Sequence, residues 1–250
     1  MSYSKLFIFT LILSSFFSCT ELQQVLDTYS QNQPLTETDV ANGLKQALKV
    51  GTDTAVANLA RKNGYFGNDL YKILLPPEAD IIVDNVSKLP GGSKLVNDAI
   101  LGINRAAEDA AKEATPIFVN AITGMTIQDA WNILKGEDNA ATEYLKKSTY
   151  NQLVDLYSPK IGKSLDKPLV AGVSTSQTWD KLTTNWNKIA DNPIGEMAGL
   201  TPVKTDLNRY LTEKALDGLF LKIADEEKKI RENPLNRVTD LLKRVFGSNS

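Results

Sequence analysis

The residue types that this chain lacks set the first limits on its chemistry. Its 250 residues include no histidine and a single cysteine, Cys19. Zinc sites built from histidine and cysteine, Ser-His-Asp triads, cysteine–histidine nucleophiles and intrachain disulfides all need residues that are missing. Carboxylates are therefore the groups that remain for acid–base or metal chemistry.

Glu213 and Asp217 are the first candidates for such chemistry, because they lie four residues apart in a stretch whose apolar residues repeat at helical spacing. This spacing places both side chains on one face of a helix. Two close carboxylates bind a hard cation through oxygen, or separate their pKa values for acid–base work. We favour a solvated face on which they pair with basic residues, and we predict no metal and no cofactor. The candidate basic partners are Arg209, Lys214, Lys146 and Lys147.

Four further residues are candidates for a binding site, namely Arg105, Asp129, Trp179 and Trp186. Arg105 lies in an alanine-rich helix, where we predict an ion pair with an acidic residue of a long helix nearer the C-terminus. Asp129 is expected to gather with Glu137 and Asp138 at a tight corner where two short helices meet at a glycine. The two tryptophans share one helical stripe, which favours deep packing over stacking on a ligand. That stripe comprises Trp179, Leu182, Trp186 and Ile189.

The charge balance argues against a nucleic-acid partner. Acidic residues number 30 and basic residues 28, and no run of lysine or arginine is longer than two. A nucleic-acid-binding face needs a basic excess on one side of the domain. Gly91-Gly92 precedes a predicted helix but lacks the glycine spacing of a phosphate-binding loop. We therefore predict neither nucleic-acid nor nucleotide binding.

The N-terminus has the pattern of an export signal. Lys5 is followed by the apolar run Leu6–Phe17, which is too short to span a bilayer but has the length of a secretory signal core. Ser18-Cys19 resembles the end of a bacterial lipobox, although Phe16 and Phe17 depart from the usual aliphatic and small residues. We predict a lipoprotein signal peptide at 1–18, with palmitate or another acyl chain on Cys19. The alternative is an ordinary signal peptide with a chance cysteine.

After a polar tether at 19–34, residues 35–250 are predicted to form one all-α domain of about eight to ten helices. Thr36 and Thr126 are predicted N-caps, each with an aspartate three residues later. Gly136 is expected to end a short helix in the left-handed conformation, and the next helix is expected to begin near Asp138 or Asn139.

Other boundaries follow from caps, glycines and prolines. Gly43 and Gly51 are expected to weaken or kink the first helix, and Ser93 is expected to cap a later one. Thr149–Gln152 has the pattern of a capping box, so we predict a new helix there. The remaining predictions are an end or kink at Pro159, a weaker helix at Ile161–Leu169, a long helix with the strongest helical pattern at Asp206–Glu232 and a short final helix at Leu235–Phe246.

The chain resembles the bacterial lipoprotein family called domain of unknown function 4197. The resemblance implies a helical domain behind a lipoprotein-type or secretory signal, with no assigned activity and no assigned site residues. The stretches that carry it are Asp39–Leu48, Val50-Gly51, Ala55-Val56, Asn104–Glu108, Phe118–Ile122, Gly124–Thr126, Ile133–Gly136, Ala140–Thr142, Tyr144–Lys147, Leu211–Phe220, Ile230-Arg231 and Val245–Gly247.

These observations predict an envelope-tethered, non-catalytic helical module that binds a partner protein or an envelope component. It would be held at the membrane by the lipid on Cys19 and face the periplasm. One alternative is an enzyme or metal-binding protein that uses Glu213, Asp217 and Arg105 in a polar pocket. Another is a carrier of a small apolar ligand, with Trp179, Trp186 and Phe220 around a cavity. The choice between inner and outer membrane and the oligomeric state stay open.

Overall fold

The computed structural model describes residues 36–88, 90–170, 173–233 and 243–244. As predicted, this part of the chain is a single all-α assembly, with one short antiparallel pair of strands. The helices are α1 (Glu37–Ala60), α2 (Asp80–Ser87, preceded by a 3₁₀ turn at Pro77–Ala79), α3 (Gly92–Ala111), α4 (Thr115–Thr123), α5 (Ile127–Leu134), α6 (Ala140–Leu165), α7 (Thr175–Ala190), α8 (Pro193–Met197) and α9 (Leu207–Glu232); the strands are β1 (Pro168–Val170) and β2 (Val173–Ser174).

Several predicted segments lie outside the described residues. These are the signal peptide, Cys19, the tether, and the final helix Leu235–Phe246 apart from Lys243 and Arg244, which are helical. Within the ranges that are described, none of the helices is long and apolar enough to cross a membrane.

Four long helices form the centre of the fold. Helix α6 packs along both α9 and α3, and α9 also packs along α1. Their apolar faces recur at the spacing that the sequence shows, so the predicted buried side of α9 is confirmed. Each fully buried leucine or isoleucine contributes about 1.5–3 kcal/mol relative to exposure. The largest fully buried side chains are Tyr65, Tyr157, Phe118, Leu44, Leu59, Ile103, Leu145, Leu153, Ile161, Leu211, Leu216 and Leu219.

Starts of helices follow the predicted capping chemistry at two places. The Thr36 hydroxyl accepts the Asp39 N–H at 3.1 Å, and the Asp39 carboxylate accepts the Thr36 N–H at 3.0 Å. Thr126 and Asp129 form the same reciprocal pair at the start of α5. These N-caps are confirmed. Helix α1 runs without a break through Gly43 and Gly51, and the position of Gly51 beside the Ile230 side chain gives close contact with α9.

Helix α6 is a single continuous helix where the sequence predicted several separate ones. It is one helix of 26 residues, so neither a new helix at Thr149 nor a separate one at Ile161–Leu169 exists. The Thr149 hydroxyl bonds back to the Leu145 carbonyl at 2.7 Å inside the helix. Pro159 costs about 3 kcal/mol in a helix interior. Burial of Tyr157 and Ile161 on either side of it is of similar or greater magnitude, which explains why the helix continues.

Two smaller expectations are also wrong. Gly136 follows α5 as predicted, but it is not left-handed, since the glycines with positive φ among the described residues are Gly91 and Gly199. Glycine is needed at this position because any larger residue would clash: a Cβ there would lie 2.7 Å from the Cβ of Ala140. Ser93 does not cap α3. The N-cap is Gly91, with a φ of 78°, and the Ser93 hydroxyl donates instead to the Ser87 carbonyl.

Candidate functional site

The two candidate carboxylates of α9 lie on its exposed face and each pairs with a basic residue of the same helix. Glu213 accepts from Arg209 Nε at 2.9 Å, and Asp217 accepts from Lys214 Nζ at 3.2 Å. Exposed pairs of this kind contribute at most about 1 kcal/mol. In the part of the chain that the structure describes, no group of three or more acidic or cysteine side chains is arranged to hold a metal ion.

Arg105 pairs with a different partner from the one predicted. It bonds to Glu108 on its own helix and donates to Asn63 Oδ1 at 2.6 Å, not to an acidic residue of α9. The reason is local: Glu108 is one turn away and is buried beneath the connector between α1 and α2. Its carboxylate accepts the N–H groups of Tyr65 and Phe66 at 3.3 and 3.4 Å.

Asn104 holds the same connector in place. Its amide nitrogen donates to the Ile73 carbonyl at 2.8 Å, and its amide oxygen accepts the Ile73 N–H at 2.9 Å. At the other end, the Tyr65 hydroxyl donates to the Ala215 carbonyl of α9 at 2.8 Å. The polar residues around Arg105 therefore fasten a non-helical segment to the bundle, and their arrangement is structural.

Glu227 is a buried acidic residue that the sequence analysis missed. Its carboxylate accepts the N–H groups of Ala141 and Thr142 at 3.0 and 2.9 Å, and the Thr142 hydroxyl at 2.8 Å. Arg231 donates to the same carboxylate and to the Ile133 carbonyl at the end of α5. Because Asn139 provides no side-chain cap, α9 supplies the cap of α6. The one sign of this site in the sequence is that Glu227 and Arg231 lie four residues apart, which places an acidic and a basic side chain on one face of α9.

The other candidate residues lie apart from one another. Asp129 serves the cap of α5, and hydrogen bonds from Thr126 lower the pKa of its carboxyl below the ordinary value. Trp179 is buried, whereas Trp186 is partly buried and donates from Nε1 to the Thr201 carbonyl at 2.9 Å. Phe220 packs in the core, edge-on to Phe118 with 6.2 Å between ring centroids.

Trp179 lines a cleft of about 380 Å³ between the end of α6, α7 and the start of α9. Neither Trp186 nor Phe220 is among its lining residues. The cleft walls carry three aspartates, and no lysine or arginine lines them. The three aspartates are Asp166, Asp180 and Asp206.

The corner between α7 and α8 exposes large apolar side chains. Ile189 is 54 % exposed, Ile194 79 % and Met197 90 %. The exposure of Ile189 contradicts the predicted buried stripe, because the extensive contacts of α7 are with α8 and β2 and not with the four central helices. The side chain of Leu182, on the same stripe, lies outside the described residues.

Fold and side chains together define the class of protein: an all-α domain in which most buried polar groups bind neighbouring backbone, with a ligand-sized cleft and an exposed apolar corner. The chain belongs to a family of proteins of unknown function, DUF4197, whose sequence model matches residues 34–247. No curated protein and no solved structure matches the chain.

Proposed function

We propose that this protein is an envelope-tethered, non-catalytic helical module that binds a partner protein through the corner of α7 and α8. The observation that carries the proposal is the exposure of three large apolar side chains within nine residues. Burying one such side chain contributes about 1.5–3 kcal/mol, and clustered apolar exposure is typical of docking surfaces. We call Ile189, Ile194 and Met197 the apolar corner.

The charges around the apolar corner favour a protein partner over a lipid surface. Between residues 175 and 206, four side chains are acidic and three are basic. Helices that bind membrane surfaces carry a basic polar face, since anionic lipids attract lysine and arginine. The basic residues of this segment are Lys181, Lys188 and Lys204, and the acidic residues are Asp180, Asp191, Glu196 and Asp206.

The backbone beneath the apolar corner is held in place. Asn187 exchanges two hydrogen bonds with the Val203 backbone, at 2.9 and 2.8 Å. Asn192 caps α8 by accepting the N–H groups of Ile194 and Gly195. Gly195 lies against the end of α7, where a Cβ would approach the Ile189 carbonyl to 2.1 Å. A surface that is already ordered loses less conformational entropy on binding.

The tether sets the distance at which such a partner is reached. A random-coil chain of about 16 residues has a root-mean-square end-to-end distance of roughly 20–24 Å. With a lipid on Cys19, the domain would face the periplasm close to the membrane. The partner is then a protein of the cell envelope that presents an apolar surface.

Photo-crosslinking in cells tests the docking surface. A photoreactive amino acid placed at Lys188, beside the apolar corner, is expected to give one defined protein adduct in the full-length chain. Adding Ile194→Asp is expected to abolish the adduct without lowering the unfolding temperature, because Ile194 is exposed. The matched control is Leu221→Asp on α9, where the side chain is 49 % exposed. An adduct that survives Ile194→Asp, or is lost equally with Leu221→Asp, contradicts the proposal.

A further inference from the structure

Helices α1 and α9 run antiparallel and are offset along their axes. Gly51, in the middle of α1, lies near the end of α9, where a Cβ would be 3.6 Å from the Ile230 Cδ1 atom. Tyr65, which follows α1, lies against Gly218 in the middle of α9. Because α9 ends at Glu232, the first half of α1 extends beyond it.

This first half of α1 is nevertheless buried on the side that meets α9 at Gly51. Residues four, seven and eleven positions before Gly51 fall on that side of the helix. Helix α4 contacts the opposite side, because Lys45 donates to the Thr123 carbonyl at 3.1 Å and lies two residues, or about 200°, away from Gly43 and Ala47. The buried residues in question, which we call the α1 face, are Val40, Gly43, Leu44 and Ala47.

The chain that follows α9 has the length and the pattern to cover the α1 face. Asn233 closes α9 with an extended backbone, and the sequence then predicts a helix at Leu235–Phe246. As a helix, the chain from Asn233 to Arg244 is about 16 Å long, and α1 from Gly51 back to Asp39 is about 18 Å long. One side of the predicted helix is apolar, with Val238, Leu241, Leu242 and Val245.

Arg244 shows where this segment ends. It is helical, and its positive charge acts on the carboxylate of Asp39 in the first turn of α1. Hydrogen bonds with Thr36 are the main cause that lowers the pKa of the Asp39 carboxyl, and the charge of Arg244 lowers this pKa further. Charge effects between exposed groups are largely screened beyond about 10 Å, so Arg244 lies close to Asp39. The segment therefore leaves α9 beside the middle of α1 and arrives at the start of α1.

We propose that residues 235–246 form a helix that packs antiparallel to α1 and covers the α1 face. With Arg244 beside Asp39, the register places Leu241 and Leu242 opposite Gly43, where the absence of a side chain allows a close approach. The contact brings the end of the chain to the point where the predicted tether enters the domain. It goes beyond the docking function and does not depend on it.

Cysteine crosslinking tests the position of the segment. In the full-length Cys19→Ala chain, Gln46→Cys is combined with Arg237→Cys, which the register places opposite it. A short bismaleimide is expected to join the two cysteines within one chain, and mass spectrometry of a digest identifies the joined peptides. The matched control combines Arg237→Cys with Lys62→Cys, because Lys62 is also exposed and lies beyond the other end of α1. No crosslink with Gln46→Cys, or equal crosslinking with Lys62→Cys, overturns the proposal.

Leu241→Asp tests the apolar contact that the register predicts. The substitution is expected to lower the unfolding temperature of the full-length chain by about 3–10 °C, because a charge replaces a leucine that is buried in the contact. The matched control is Asn236→Asp, which adds the same charge on the opposite side of the predicted helix and should shift the unfolding temperature by less than about 2 °C. An unchanged unfolding temperature with Leu241→Asp, or equal shifts in the two variants, contradicts the packing of this segment on α1.

Discussion

At the scale of single residues, the buried carboxylate of Glu227 links three helices. It lies on α9, caps the start of α6, and holds Arg231 against the last turn of α5. The start of a helix has N–H groups without partners inside the helix, and a negative charge there is favoured by the helix dipole. One side chain therefore fixes how the α5–α6 corner sits on α9.

Glu227→Ala is expected to lower the free energy of unfolding by about 3–5 kcal/mol. The substitution removes the carboxylate that Arg231 binds and leaves the N–H groups of Ala141 and Thr142 without this acceptor, and breaking a buried pair in this way has that cost. Urea denaturation followed by circular dichroism measures the change.

The matched control is Glu232→Ala on the same helix, where the side chain is 61 % exposed and lies 3.8 Å from Lys228. It should change the free energy of unfolding by less than about 0.5–1 kcal/mol. Equal effects of the two substitutions would refute the capping role of Glu227.

At the scale of elements, the connector between α1 and α2 depends on contacts with α3 and α9. Asn104 and Glu108 bind its backbone, and Tyr65 inserts its ring against Gly218. The Tyr65 ring is fully buried, and its hydroxyl is fixed to the Ala215 carbonyl. Gly218 is thus the place where α9 accommodates the connector.

Gly218→Ala is expected to destabilise the protein by about 1–3 kcal/mol, although alanine is the better helix former. The new Cβ would lie 3.0 Å from Tyr65 Cε1, in a ring that is fully buried and whose hydroxyl is bonded to the Ala215 carbonyl. Gly51→Ala in α1 is the matched control, since its Cβ would lie 3.6 Å from Ile230 Cδ1, an ordinary contact. It should raise stability by up to about 1 kcal/mol. Thermal unfolding of both variants checks the opposite signs, and a stabilising Gly218→Ala would contradict the tight contact.

Helix boundaries show which local signals decide structure. Thr36 and Thr126 both have an extended backbone, and each forms a capping box with the aspartate three residues later. The sequence at Thr149 has a similar pattern, but the preceding residues are already helical and Leu145 and Leu153 are buried on both sides of it. Capping chemistry therefore predicts where a helix starts only when packing does not carry the previous helix through. At Pro159 likewise, the burial of Tyr157 and Ile161 keeps the helix continuous although proline disfavours a helix interior.

At the scale of the whole molecule, the fold class followed from the periodicity of apolar residues, whereas the polar contacts between distant segments did not. Glu227 reaches Thr142 across 85 residues, and Glu108 reaches Tyr65 across 43. Sequence spacing identifies neighbours on one helix, but it does not identify the backbone that a buried side chain meets. The acidic cleft was missed for the same reason, because its aspartates come from three parts of the chain.

Lipidation of Cys19 is expected to hold the whole molecule at the membrane, and the substitution Cys19→Ala tests this. In cells supplied with an alkyne-bearing palmitate analogue, the wild-type chain should be labelled and found in the membrane fraction. Cys19→Ala should lose both properties and keep the same unfolding temperature, because the family match spans residues 34–247 and does not include Cys19. Ser18→Ala is the matched control, since it keeps a small residue before the cysteine and should retain the label. A cleaved but unlabelled wild-type chain would favour the ordinary signal peptide.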